Sequence, residues 1–166
     1  LTSNYTTNCN WTTSQLFELN FAQFGDTIFI THRNNPIREI FRESASSFIV
    51  REFAFKINED VVVSGAYKTD TPFYKYEAAL TTLTISTAAT GTGRTVTASS
   101  GFFSTDYVGH YLTIDGSQVK ITGYTSPTVV TVTVIETIAG GTGPHFEWKE
   151  EAISAVRGYP QAVTFH

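Results

Sequence analysis

TTLTISTAATGTGRTVTASSGFF at 81–103 and YLTIDGSQVKITGYTSPTVVTVTVIETIAGGT at 111–142 are the two runs that decide the fold. Apolar side chains recur there at alternate positions: Leu83/Ile85, Val96/Ala98, Leu112/Ile114, Val119/Ile121 and Val130/Val132/Val134. Alternation with period two puts one face of each segment into a core, and Thr and Val suit a pleated surface. Asp115-Gly116 predicts a tight hairpin, because both residues tolerate the positive φ such turns require, and Ser126-Pro127 predicts the next turn. FSTDYVG at 103–109 reads as a short helical turn or loop. Five or six short strands in about sixty residues predict a small barrel or sandwich. Thr90-Gly91-Thr92-Gly93 reads as a plain hairpin turn, since a phosphate-binding loop needs a strand before it and a helix after it.

Working outward, the composition changes at both ends of this region. Residues 81–142 hold five charged side chains, Arg94, Asp106, Asp115, Lys120 and Glu136; the flanks hold the other twenty-one and both tryptophans. Such steps predict an all-β protein in two parts. A discontinuous β host domain spans 1–80 plus 143–166, with a small β-barrel inserted at 81–142. In the host, Leu16, Leu19 and Phe24 recur at roughly helical spacing after Thr12-Thr13-Ser14, three candidate N-caps. TIFITH at 27–32 predicts a strand with Ile28 and Ile30 on one side and Thr27, Phe29 and Thr31 on the other. A turn at Asn34-Asn35-Pro36 and a strand from Ile37 follow. Phe48/Val50 and Phe53/Phe55/Ile57 alternate on either side of a break at Arg51-Glu52 that suits a bulge. Gly140-Gly141-Thr142-Gly143-Pro144 predicts a flexible hinge back to the host, Arg157–Pro160 a turn, and Ala162–Phe165 the start of a strand.

Bulk properties exclude several classes. A net charge of −4 carries no electrostatic footprint for nucleic acid, so no sequence-specific nucleic-acid binding is expected. No apolar run approaches the roughly 20 residues of a membrane helix. One cysteine, Cys9, allows no internal disulfide. Methionine is absent, even at position 1, and the chain stops directly after an apolar stretch. Both features lead us to expect a segment of a longer product.

Catalytic chemistry is hard to assemble from these residues. His32, His110, His145 and His166 lack metal-ligand spacing, so neither a metal nor a cofactor is expected. His32 reads as a hydrogen-bonded strand-end residue and Cys9 as an ordinary thiol. Glu59-Asp60 and Glu150-Glu151 read as solvated turn charges. Arg33, Arg38, Arg42 and Arg51 lie among Glu39, Glu43 and Glu52, which predicts local ion pairs. Asn4-Tyr5-Thr6 and Asn10-Trp11-Thr12 match the glycosylation sequon, a match that arises easily by chance in a Thr-rich chain. The candidate binding or interface residues are aromatic: Trp11, Phe73, Tyr74 and Tyr76, with core or subunit interface as the first reading and a sugar-stacking platform as the second.

LFELNFAQFGDTIFITHRNNPIREIFR at 16–42 resembles a segment of large structural proteins of short-tailed bacteriophages. The resemblance rests on Gln23, Asp26, the strand at 27–31, His32, Pro36, Ile37 and Ile40, then on Trp148, Gly158-Tyr159-Pro160, Val163 and Phe165. Between these stretches, residues 95–134 resemble the small β-barrel of the first catalytic cysteine half-domain of ubiquitin-activating enzymes. Only a fold is implied there, because fold does not carry function. The resemblance implies a non-catalytic virion tail component of the tubular or nozzle kind, self-associating as rings. Other tail subunits would be its partners, with tail fibres or host-surface glycans as further ones. An alternative is a glycan- or host-surface-binding decoration, using the loops at 87–93, 99–107 and 123–128. A glycan depolymerase would need two suitably spaced carboxylates.

Overall fold

The computed structural model describes residues 11–165. It is all-β: three antiparallel sheets, with two 3₁₀ turns, Gln15–Glu18 and Thr105–Tyr107, as the helical pieces among the described residues. The chain forms two compact units. Unit one comprises 1–54 and 157–166, and unit two comprises 55–156. The composition steps at 80/81 and 142/143 do not coincide with these bounds.

Unit one is a four-stranded meander of β1 (Asn20–Phe24), β2 (Thr27–His32), β3 (Asn35–Arg42) and β4 (Phe48–Glu52). Helical spacing at its start gives only the 3₁₀ turn; from Asn20 the chain pairs with β2, and strand pairing overrides the weak helical pattern. Gly25, at φ +57, opens the two-residue β1–β2 turn. The next turn is Arg33-Asn34, one residue earlier than expected, and Asn35-Pro36 belongs to β3. Pro36 is tolerated there because the β2–β3 register shifts between Ile30 and His32, so its missing N–H falls at an irregularity. The expected break at 51–52 lies instead at 53–56, after β4.

Unit two contains β5 (Ile57–Val63) paired with β6 (Ala66–Thr69), and a seven-stranded sheet. That sheet consists of β7 (Phe73–Tyr74), β8 (Leu83–Ile85), β9 (Gly91–Ala98), β10 (Tyr111–Ile114), β11 (Ser117–Ser126), β12 (Val129–Val134) and β13 (Trp148–Glu151). Their order across the sheet is β7-β13-β10-β11-β12-β9-β8. The order does not close into the expected barrel. An isolated antiparallel bridge between Leu83 and His145, with both backbone bonds made (3.0 and 2.8 Å), ties the β8 edge to the segment entering β13. Every alternating pair read from the sequence lines one core: Leu83, Ile85, Val96, Ala98, Leu112, Ile114, Val119, Ile121, Val130, Val132 and Val134, closed by Phe103, Tyr107 and Trp148. Burying a large apolar side chain stabilises by about 1.5–3 kcal/mol, so this core is the main driving force of the unit. Asp115 (φ +49) and Gly116 (φ +82) form the expected hairpin. Gly91–Gly93 lies in β9 rather than in a loop, and Gly91 pairs opposite Val134.

Side chains explain why the unit begins near 55 rather than at 81. Gln118 on β11 treats Thr69 as a neighbouring strand would: its Oε1 accepts from the Thr69 N–H (2.9 Å) and its Nε2 donates to the Thr69 carbonyl (2.7 Å). Lys68 pairs with Glu136 (2.7 Å), Thr71 donates to Glu151 (3.1 Å), and β7 joins the sheet through β13. One buried glutamine and two polar contacts leave no composition step, so the sequence did not reveal them.

Candidate interaction surface

In unit one, alternation distributes apolar groups over both faces of a single sheet. On one face stand Phe24, Phe29, Ile37, Phe41, Ile49 and Phe53; on the other, Phe21, Ile28, Ile30, Ile40, Phe48 and Val50. A sheet apolar on both sides needs a covering layer on each. The first face receives part of one from the C-terminal segment. Val163 N–H donates to Asn20 Oδ1 (3.1 Å), and the Phe165 ring packs 5.4 Å from both Phe24 and Phe29. This segment docks without pairing as a strand, contrary to expectation. Beneath it Phe29, Ile37, Phe53, Pro160 and Val163 line a cavity of about 310 Å³.

The remaining apolar surface is open. Phe17 is 92% exposed, Phe21 71% and Phe24 69%, with Leu16, Phe48 and Ile49 also exposed. β1 is an edge strand among the described residues, and its sequence NFAQF has neither a charge nor a proline, the usual guards of such an edge. Two of the expected ion pairs form across β3 and β4, Arg51–Glu39 (2.6 Å) and Arg38–Glu52 (3.5 Å), whereas Arg33 meets Glu18 (3.4 Å), Arg42 bonds the Ser44 carbonyl and Glu43 accepts from Ser47. His32 is a strand-end residue with its ring buried. Its Nδ1 accepts from the Asn34 N–H (3.1 Å), which assigns the proton to Nε2. That Nε2 lies 3.3 Å from Glu18 Oε2 without hydrogen-bond alignment.

The sequence-derived aromatics fall in different units. Trp11, half-buried, belongs to unit one; Phe73, Tyr74 and Tyr76 belong to unit two. Tyr74 and Tyr76 are exposed and meet edge-to-face at 4.9 Å, and Tyr76 Oη donates to the Ala152 carbonyl (3.3 Å). Phe73 is half-buried. Cys9, both sequon asparagines, Tyr5 and His166 lie outside the described residues.

Two readings of charged residues are corrected. Glu150 and Glu151 are not solvated turn charges but part of β13. Glu150, 1% exposed, accepts from Tyr107 Oη (2.8 Å), and Glu151 meets His110 Nδ1 (2.8 Å) and the Tyr111 N–H (3.3 Å). Pairing of β13 with β10 and β7 carries these carboxylates inward, which local sequence cannot announce. The segment at 140–144 lies inside unit two, with Gly140 and Gly143 close against their neighbours, and is not a hinge between the units. His145 Nδ1 donates to Asp115 Oδ2 (2.7 Å), and a Cβ on Gly140 would stand 2.1 Å from that oxygen. On Gly143 it would stand 2.9 Å from the Leu83 carbonyl. Glu59-Asp60 is exposed, as expected, but lies in β5 rather than in a turn. Among the described residues no group of three His, Cys, Asp or Glu is placed to hold a metal, and no helix is long and apolar enough to cross a membrane. No protein-family model matches the chain, and no curated protein does.

Proposed function

We propose that the chain is a non-catalytic structural component of a bacteriophage virion tail, a nozzle or tubular segment. On this reading unit one meets neighbouring subunits or fibres through its apolar sheet. The observation that carries the interface reading is the exposure of Phe17, Phe21 and Phe24 at and beside an unguarded edge strand, Phe21 and Phe24 on its two opposite faces. Large apolar side chains left exposed along a sheet edge mark protein contacts. Unit one also balances its charges, five basic against five acidic, so no net repulsion opposes a second copy. The tail assignment itself draws on the resemblance of 16–42 and 148–165. Antibody labelling of purified virus particles from the source, viewed by electron microscopy, tests it. Label confined to the tail is the expected result; intact particles unlabelled after mild opening of the tail, by serum that binds the free protein, would overturn it.

A second reading, a glycan- or host-surface-binding decoration, draws on the exposed Tyr74/Tyr76 pair. Aromatic faces stack on sugars. A glycan array that includes host envelope sugars tests it: saturable binding lost in Tyr74→Ala is expected, and an array without a binder contradicts it.

A further inference from the structure

Arg94 is the one partly buried cation that lacks any partner among the described residues. Arg33, Arg38, Arg51 and Lys68 have carboxylates, Arg42 and Lys75 have carbonyls, and Lys120 has the Tyr111 ring. Arg94 has no ion pair and no hydrogen bond, and its Nε is buried without an acceptor. A guanidinium carries five donors and cannot shed its charge, so an Nε buried without an acceptor is an arrangement that needs a reason.

Its position is equally unusual. On β9, Arg94 shares a side with Val96 and Ala98, both in the core, and stands opposite Val132, also in the core. It therefore points to the interior side at one end of the sheet, where the β9–β12 register shifts between Val132 and Val134. Gly91 makes room for it: a Cβ there would stand 2.8 Å from Nη2 and 3.4 Å from both Cζ and Nε. The guanidinium thus lies close over Gly91, whose φ of +142 is itself a conformation that favours glycine. The adjoining loop, Thr87-Ala88-Ala89-Thr90, is made of small residues, and neither it nor Gly91–Gly93 supplies a carboxylate.

We infer that Arg94 and the Gly91–Gly93 segment form a binding site for an oxyanion, a carboxylate or a phosphate group. The guanidinium would take two of its oxygens in a bidentate, charge-assisted pair. Unit two as a whole is acidic, so selectivity would come from this local fork rather than from a general positive field.

The test follows the Arg94 Nε–H resonance, assigned through bonds in the wild-type chain, while sodium acetate and sodium phosphate are titrated separately at constant ionic strength. The expected result is a saturable shift of Arg94 with at least one anion, while the Arg42 resonance does not saturate. The arm that saturates identifies a planar or a tetrahedral ligand. Arg94→Lys keeps the charge and loses the fork, and should weaken binding by about tenfold or more. An Arg94 resonance that stays still in both arms, or that drifts without saturating as it does in sodium chloride, overturns the inference. So does saturable binding that survives Arg94→Lys undiminished in a folded variant.

Discussion

Unit two encloses its apolar side chains: Leu83, Val96, Leu112, Val119, Val130 and Val132 are all at 0% exposure, around a fully buried Trp148. In unit one, Ile30 is the sole hydrophobic side chain buried to the core among the described residues, and Phe17, Phe21, Phe24 and Phe48 are exposed. Both units are built from the same element, an antiparallel hairpin with alternating residues. They differ in how the sheet is used. In unit two a bridge between Leu83 and His145 ties the β8 edge back to the segment entering β13, and one inner face serves a shared core. The unit-one sheet is a single layer, apolar on both faces, with one face partly covered by residues 159–165. A fold that completes its own core stands by itself; one that leaves a face open is completed by something else.

The largest break in this comparison should come from unit two. Trp148→Ala removes a buried ring stacked at 5.1 Å on Phe102 and the Nε1 bond to the Thr81 carbonyl (2.7 Å). Urea denaturation should show a loss of about 3–5 kcal/mol, enough to unfold the unit. Next comes Gln118→Met, close in volume, which strands the N–H and carbonyl of Thr69; about 2–4 kcal/mol is expected, as two orphaned buried groups imply. Amide exchange in β6 should accelerate more than in β12, and equal acceleration would place the clamp elsewhere. Gly140→Ala drives a methyl into the Asp115–His145 pair and should cost about 1–3 kcal/mol by overpacking. Smallest in stability is Phe17→Ser, within about 0.5 kcal/mol for a side chain already in water. The same change should reduce concentration-dependent association in sedimentation, whereas a matched change in unit two, Val108→Ser, should leave it unaltered.

Much of this difference was legible in the sequence. Period-two alternation in 83–134 identified the core of unit two strand by strand, and Asp115-Gly116 fixed one hairpin, because both signals are local. What escaped was non-local. The helical spacing of Leu16, Leu19 and Phe24 was overruled by β1–β2 pairing, and the start of unit two depends on Gln118 reaching Thr69 across the chain. Gly140 and Gly143 looked like slack because glycine marks both flexibility and close approach; only the neighbouring His145 ring, Asp115 oxygen and Leu83 carbonyl decide between the two. Of the candidate site, the Tyr74/Tyr76 pair was visible as an aromatic cluster. Of the exposed phenylalanines, Phe24 was read at helical spacing and Phe17 and Phe21 were not singled out, since exposure is a property of what is absent overhead rather than of the residue.

The contrast between a self-sufficient unit and an incomplete one is tested most directly by native-state amide hydrogen exchange on the dilute chain. The account predicts that β11 and β12 exchange only through global unfolding of unit two, while β1 and β4 open far more readily. Protection of β1 and β4 equal to that of β11 and β12 in dilute solution would contradict it, since unit one would then be complete without a partner.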